Sequence, residues 1–297
     1  MKPAPFEYHR PTTIAEALDL LAGHPDAAVM AGNQSLGIVM GNRLATPDHV
    51  VDINRVDDLA FVDVGEDEVA VGATARHRDL ERSSALRATV PMLPEAAAQI
   101  AGPSVRSRGT VGGSICEADP AGNYPTAAVA LDADLRLVSA GGERTVAARD
   151  FFLGFMMTDL GEAELVERVT VDRGPFPAGR TGMAFLELKP AAQTWPTISA
   201  AAAVRVDDPT APAPVVEEAR LALANAADVP LHVPDAESAV VGEPLSEAGL
   251  DAVAAAAAEA SDPSDELHAD AEFKREVAAE YARRSIETAY DRATGAE

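Results

Sequence analysis

Apolar and polar positions alternate in ways that divide the chain into short elements. Residues 6–9 read as a strand. Behind them Ile14, Leu18 and Leu21 recur at helical spacing, introduced by Thr13 and Glu16 in a T-x-x-E capping box and ended by Gly23 and Pro25. A strand is predicted over 27–31, then a polar turn, Gly32-Asn33-Gln34-Ser35, an apolar stretch over 36–40 and a second strand over 49–53.

The pattern resumes with a strand at 68–73, helices at 78–86 and 94–100, and a long turn-rich stretch over 102–123. A helix at 125–131, a strand at 134–139 and a turn at Gly141-Gly142 follow. Asp150 introduces an apolar patch in which Phe151, Phe152 and Phe155 are expected in the core, and 164–171 reads as a strand. The Gly- and Pro-rich run 173–179 is a linker signal. Beyond it, strands at 183–189, 198–206 and 215–224 predict a three-stranded sheet, and 247–260 and 273–290 are helical, the first rich in alanine. The fold class is α+β, in three units at 1–58, 59–177 and 178–297.

A chain of 297 residues holds more than one core, and 47% hydrophobic with 24% charged residues fits a folded globular protein. No apolar run approaches the roughly 20 residues of a membrane span, and the first residues carry no signal-peptide stretch, so a cytoplasmic protein is expected. The net charge of -24 disfavours nucleic acid as a partner. With lysine only at Lys2, Lys189 and Lys274, it predicts a surface suited to a salt-rich cytoplasm, a halophilic trait. The single cysteine, Cys116, excludes an internal disulfide, and an iron–sulfur cluster usually needs about four thiolates, so any such cluster sits on another chain. The six histidines show no metal-ligand spacing, and no metal is expected. No nucleophile–base or paired-carboxylate constellation is visible either. Catalytic residues are therefore not assigned, and the chemistry is left to a cofactor.

Two segments carry that expectation: AGNQSLG over 31–37 and RGTVGGS over 108–114. Glycine lets a backbone approach an oxyanion and point successive amides at it. Neither segment is a P-loop or a G-x-G-x-x-G fingerprint. Each alone reads as a plain turn; as a pair in adjacent units they point to one diphosphate cofactor.

The ordered motifs FEYHRPTTIAEAL (6–18), AGNQSL (31–36), VDIN (51–54), GPSVRSRGTVGGS (102–114), ADPAGNYP (118–125) and LDA (131–133) are similar to one family. It is the FAD-binding medium subunit of molybdenum hydroxylases, the flavoproteins of carbon monoxide dehydrogenase and of multi-subunit xanthine and aldehyde dehydrogenases. The resemblance implies a two-subdomain FAD-binding fold of the vanillyl-alcohol-oxidase-like (PCMH) type and a C-terminal α/β domain. It implies non-covalent FAD, with Ala31, Gly32, Asn33, Gln34, Ser35 and Leu36 at the first turn and Thr110, Gly112, Gly113 and Ser114 at the second. Asp119 matches the aspartate of the family's Ala-Asp-Pro triplet. Asn123 stands where the family often has an acid suited to a ribose, and Cys116-Glu117 replace a common Ala-His pair. Lys189 is the candidate for a lysine near the flavin.

The amides of both turns are expected to do most of the binding. The implied function is electron transfer from [2Fe-2S] clusters of a small partner to an external acceptor. A large partner would hold molybdopterin, and the assembly would be a heterohexamer of two three-subunit units. A stand-alone FAD-dependent oxidoreductase and a flavin-fold binding module without catalysis are the alternatives. Among the remaining residues, Cys116 is expected buried and inert, Trp195 packed in a seam, and His9 and His77 in ordinary surface or turn positions. Arg106 and Arg108 serve either as diphosphate neutralisers or in surface ion pairs.

Overall fold

The computed structural model describes residues 2–296. The first unit runs β1 (Glu7–His9), α1 (Ile14–Gly23), β2 (Ala28–Met30), α2 (Leu36–Gly41) and β3 (His49–Asp52). Its sheet has the order β1-β3-β2 and is parallel throughout, which requires crossovers; α1 and α2 supply them. Thr13 caps α1 as its spacing predicts, accepting the Glu16 amide at 3.1 Å, but the Glu16 carboxylate reaches back to the Thr12 amide at 2.7 Å. Ala17, Leu18 and Leu21 bury the inner face of α1 against Val51 and Ile53. The apolar stretch after the polar turn is the helix α2. Leu59 packs into this same core, so the short turn at Asp57–Leu59 belongs with the first unit and straddles the boundary expected after residue 58.

The second unit begins with β4 (Val62–Val64) and β5 (Glu68–Gly72), followed by α3 (His77–Arg82), α4 (Ser84–Thr89), α5 (Met92–Gln99), α6 (Pro103–Arg106), α7 (Val111–Glu117) and α8 (Asn123–Ala130). Then come β6 (Asp134–Ser139), β7 (Gly142–Ala147), α9 (Ala148–Phe151), β8 (Phe152–Gly154), β9 (Met157–Thr158) and β10 (Leu165–Asp172). Its sheet, β4-β5-β10-β6-β7, is antiparallel. The stretch expected to be turn-rich holds α6, α7 and the start of α8. Gly112 and Gly113 sit inside α7, and Gly112 is glycine for packing, since a Cβ on it would lie 2.6 Å from that of Ala73. The phenylalanine patch divides. Phe151 and Phe152 are buried, whereas Phe155 is 65% exposed at the β8–β9 hairpin, not in the core as expected.

The third unit is β11 (Thr181–Leu188), β12 (Ile198–Val206), β13 (Val216–Ala224), β14 (Leu231–His232), α10 (Pro234–Ser238), α11 (Glu247–Ala260) and α12 (Ala271–Thr294). The sheet has four strands, not three; β14 is two residues long, too short to show an alternation. The run from Ile198 to Val204 is almost uninterruptedly small and apolar because both faces of β12 are covered. Ala200, Ala202 and Val204 pack with α11 and α12, and Ala201 and Ala203 join the core of the second unit. Met183, Phe185 and Ala222 cross over in the same way. Arg292 of α12 pairs with Glu95 of α5 at 2.8 Å, and Glu95 also accepts the Phe185 amide at 3.1 Å. Among the described residues no helix is long and apolar enough to cross a membrane.

Candidate functional site

The first glycine turn leaves the C-terminal end of β2. Asn33 adopts a left-handed backbone (φ 58°), which asparagine tolerates better than most residues. The Gln34 side-chain amide donates to the Gly32 carbonyl at 2.8 Å and closes the turn. Among the described residues the backbone amides from Gly32 through Gly37 make no hydrogen bond. A run of free amides at a strand end is a nest for an anion.

The second turn is built differently. Thr110 caps α7, its hydroxyl accepting the Gly113 amide at 3.1 Å and its carbonyl the Ser114 amide at 3.1 Å. Val111 and Gly112 donate to Ala75 and Ala73 at 3.0 and 2.8 Å. These four amides are consumed inside the chain, which narrows the expectation that the amides of both turns do most of the binding: the longer run of free donors belongs to the first turn. The glycines also have a reason the sequence did not show. A Cβ on Gly32 would lie 2.5 Å from the Arg108 carbonyl oxygen and 2.7 Å from the Gly109 Cα; one on Gly109 would lie 2.4 Å from Nε2 of His77. The two turns need glycine to lie against each other.

A polar strap holds them together. Asn54 donates to the Ala31 carbonyl at 2.6 Å and to Asp52 at 2.5 Å, and Tyr8 donates its hydroxyl proton to the same Asp52 carboxylate. Arg76 donates to Asn54 Oδ1 at 2.5 Å and to the Arg108 carbonyl. The VDIN motif contained Asn54, but only the fold reveals its task; Arg76 carried no sequence signal.

Between the turns lies a cleft of about 710 Å³, within the roughly 300–1,000 Å³ of small-molecule sites. Ala31, Gly32, Asn33, Gln34, Ser35, Leu36, Thr110, Gly112, Gly113, Ser114, Asn123 and Lys189 all line it. Asp119 does not: its carboxylate accepts the Ala121 amide at 2.9 Å and shapes the turn after α7. Asn123 is buried and donates to the Ala96 carbonyl at 2.9 Å. Lys189, from the third unit, donates to the Gln99 carbonyl and pairs with Glu187 at 2.6 Å, where both side chains are nearly buried. Burial raises the Glu187 carboxyl above its ordinary range, against the opposing pull of Lys189. Glu117, within reach of the Ser35 hydroxyl, is raised by burial as well.

Three expectations change here. Cys116 is exposed and opens onto the cleft. Trp195 is 56% exposed and lines the cleft instead of filling a seam. His77 is buried beneath the second turn, its Nδ1 without a partner among the described residues, and burial lowers its imidazole to about 4. For Arg106 the ion pair holds, with Glu81 at 2.9 Å.

Residues 4–173 match the FAD binding domain in molybdopterin dehydrogenase, and residues 183–289 match the CO dehydrogenase flavoprotein C-terminal domain. The chain is 36% identical to the carbon monoxide dehydrogenase medium chain of Hydrogenophaga pseudoflava, covering 98% of this chain and 99% of that one. It is 32% identical to the 6-hydroxypseudooxynicotine dehydrogenase complex subunit alpha of Paenarthrobacter nicotinovorans, over 99% and 97% of the two chains. A solved structure of the H. pseudoflava carbon monoxide dehydrogenase, lacking the Mo-pyranopterin moiety of its cofactor, superposes with a TM-score of 0.93 over 98% of this chain and 99% of that one, at 36% identity. The salt-rich setting expected from the charge finds no support in these relatives. With both domain matches in order along the chain, it belongs to the family of FAD-binding medium subunits of molybdopterin dehydrogenases.

Proposed function

We propose that this chain holds FAD non-covalently in the cleft between its glycine turns and passes electrons from [2Fe-2S] clusters of a small partner subunit to an external acceptor. A large partner subunit holds the molybdopterin and chooses the substrate, and two three-subunit units form a heterohexamer in the cytoplasm. The observation that carries this reading is the row of free amides from Gly32 through Gly37. Backbone donors left unpaired cost free energy unless water or a ligand takes them, and a diphosphate takes several at once.

Bound there, FAD supplies the capacity to accept and release electrons. The protein's part is placement. Ser35 and Ser114 add hydroxyl donors beside the amides. Lys189 sets a cation at the wall contributed by the third unit, held in place by Glu187. Ile38, Leu160 and Trp195 give the cleft an apolar lining that excludes water from a planar ring. Asp119, outside the lining, acts through the turn it shapes. The lone cysteine places the clusters on another chain.

Purifying the chain with its native partners tests the reading. The preparation is expected to show flavin absorbance and to contain molybdenum and iron. A chain that stays colourless and takes up no added FAD, alone or with partners bound, rules it out.

A further inference from the structure

Three of the six histidines, far apart in sequence, meet at one end of the first unit. Parallel pairing sets Glu7 beside His49, so His9, two residues on, points to the same face of the sheet as His49. His24 closes the C-terminus of α1, its amide donating to the Leu21 carbonyl at 3.3 Å, and its own carbonyl accepts the Ala27 amide at 2.9 Å. That turn brings its ring back over β3. His9 Nε2 and His49 Nδ1 are 3.1 Å apart, and the His24 and His49 rings stack with centroids 3.8 Å apart. One nitrogen from each of the three rings falls within 4.8 Å of the others.

We propose that His9, His24 and His49 form a binding site for a divalent first-row cation of the zinc type, separate from the flavin cleft. Zinc takes imidazole nitrogens at roughly 2.0–2.1 Å in tetrahedral geometry, which sets two donors a little over 3 Å apart, close to the His9–His49 separation. All three rings are half-buried. The His24 ring lies near-parallel to the His49 ring, so binding requires it to turn about its side-chain torsions. Glu7 Oε2, 3.7 Å from His49 Nδ1, or a water completes four ligands. A three-imidazole set favours Zn²⁺, Ni²⁺ or Cu²⁺ over Mg²⁺ or Ca²⁺, which prefer oxygen. None of the three histidines lines the cleft, and the glycine turn leaves the opposite end of β2. The cation ties β1, the end of α1 and the start of β3 together, and so stiffens the small sheet that presents the turn.

The test uses the full chain, stripped with a chelator and with any histidine tag removed. Titration with Zn²⁺ in a calorimeter is expected to give one site per chain and a higher thermal midpoint. Co²⁺ is expected to give the strong visible bands of a tetrahedral nitrogen site. His24→Gln and His49→Gln are expected to weaken binding by more than the roughly 10–100-fold that loss of an outer-shell partner costs, and to abolish the shift in midpoint. FAD content, which reports that each variant has folded, is expected to stay unchanged. No saturable Zn²⁺ or Co²⁺ binding by the wild-type chain, or binding by either variant equal to that of the wild type, overturns the proposal. Either result leaves the flavin reading untouched.

Discussion

Arg76 and Asn54 hold each other at 2.5 Å, and each also grips the backbone of a different glycine turn: Asn54 the Ala31 carbonyl, Arg76 the Arg108 carbonyl. The two walls of the cleft are thus fixed by a side-chain pair lying behind them. Asn54→Ala or Arg76→Gln is expected to cost about 1.5–3 kcal/mol, the range for hydrogen bonds to a charged group. In a double-mutant cycle the two changes are expected to couple by at least about 0.5 kcal/mol. Urea midpoints and flavin content of the four proteins measure this. Full additivity would show that the strap does not act as one unit.

Gly32 and Gly23 make a matched pair of tests. A methyl on Gly32 meets backbone atoms of Arg108 and Gly109, which cannot move aside without separating the turns. Gly32→Ala is expected to destabilise by about 1–3 kcal/mol, as overpacking does, and to lower FAD affinity. Nothing lies within 4 Å of a methyl on Gly23, the last residue of α1. Gly23→Ala is expected to be neutral or to stabilise by up to about 1 kcal/mol. Thermal midpoints and FAD titrations of both variants separate the two outcomes.

Burial lowers the His77 imidazole from 6.5 to about 4. The unfolded chain therefore binds a proton below about pH 6.5, whereas the folded chain resists until about pH 4. Stability is expected to fall as pH drops through that window, by about 3 kcal/mol from this group, and to level off below it. In His77→Gln that component of the acid slope disappears, although the substitution lowers stability at all pH values. Denaturant midpoints between pH 7 and 4 for both proteins read the slope directly.

Lys189 and Glu187 form a nearly buried ion pair. Removing the lysine alone strands a carboxylate. Lys189→Met is expected to cost about 3–5 kcal/mol at neutral pH, and Glu187→Gln in the same chain to restore much of it. The folded-state pKa of Glu187, raised already by burial, rises further in Lys189→Met. A raised carboxyl favours the folded state only while protonated, so the single variant is expected to regain stability on mild acidification. Unfolding at neutral and mildly acidic pH compares the proteins.

Most of this architecture was legible because its elements are long or strongly patterned. The cap at Thr13, the strand over Ile198–Val206 and the helix over Glu247–Ala260 lie where the pattern put them. The two-residue β14 and the two short helices α6 and α7 around the second turn escaped, since local propensity is weak over so few residues and packing decides. At the site, the residues matching the two turns line one cleft, yet the division of labour between the turns was invisible. Whether an amide is free depends on what Ala73 and Ala75 offer across space, and sequence spacing carries no trace of that. The histidine trio escaped for the same reason: it is brought together by strand pairing and a helix end, not by a local motif.

The third unit is no appendage. Alternate residues of β12 belong to different cores, and the unit lends Lys189 and Trp195 to the cleft. A fragment ending near residue 177 would bare the Ala- and Val-rich faces of α5 and α8 that pack on this sheet and lose one side of the cleft. With FAD in the cleft as proposed, chimeras between relatives that exchange this part would therefore change the flavin's surroundings along with the joint, and its reduction potential with them.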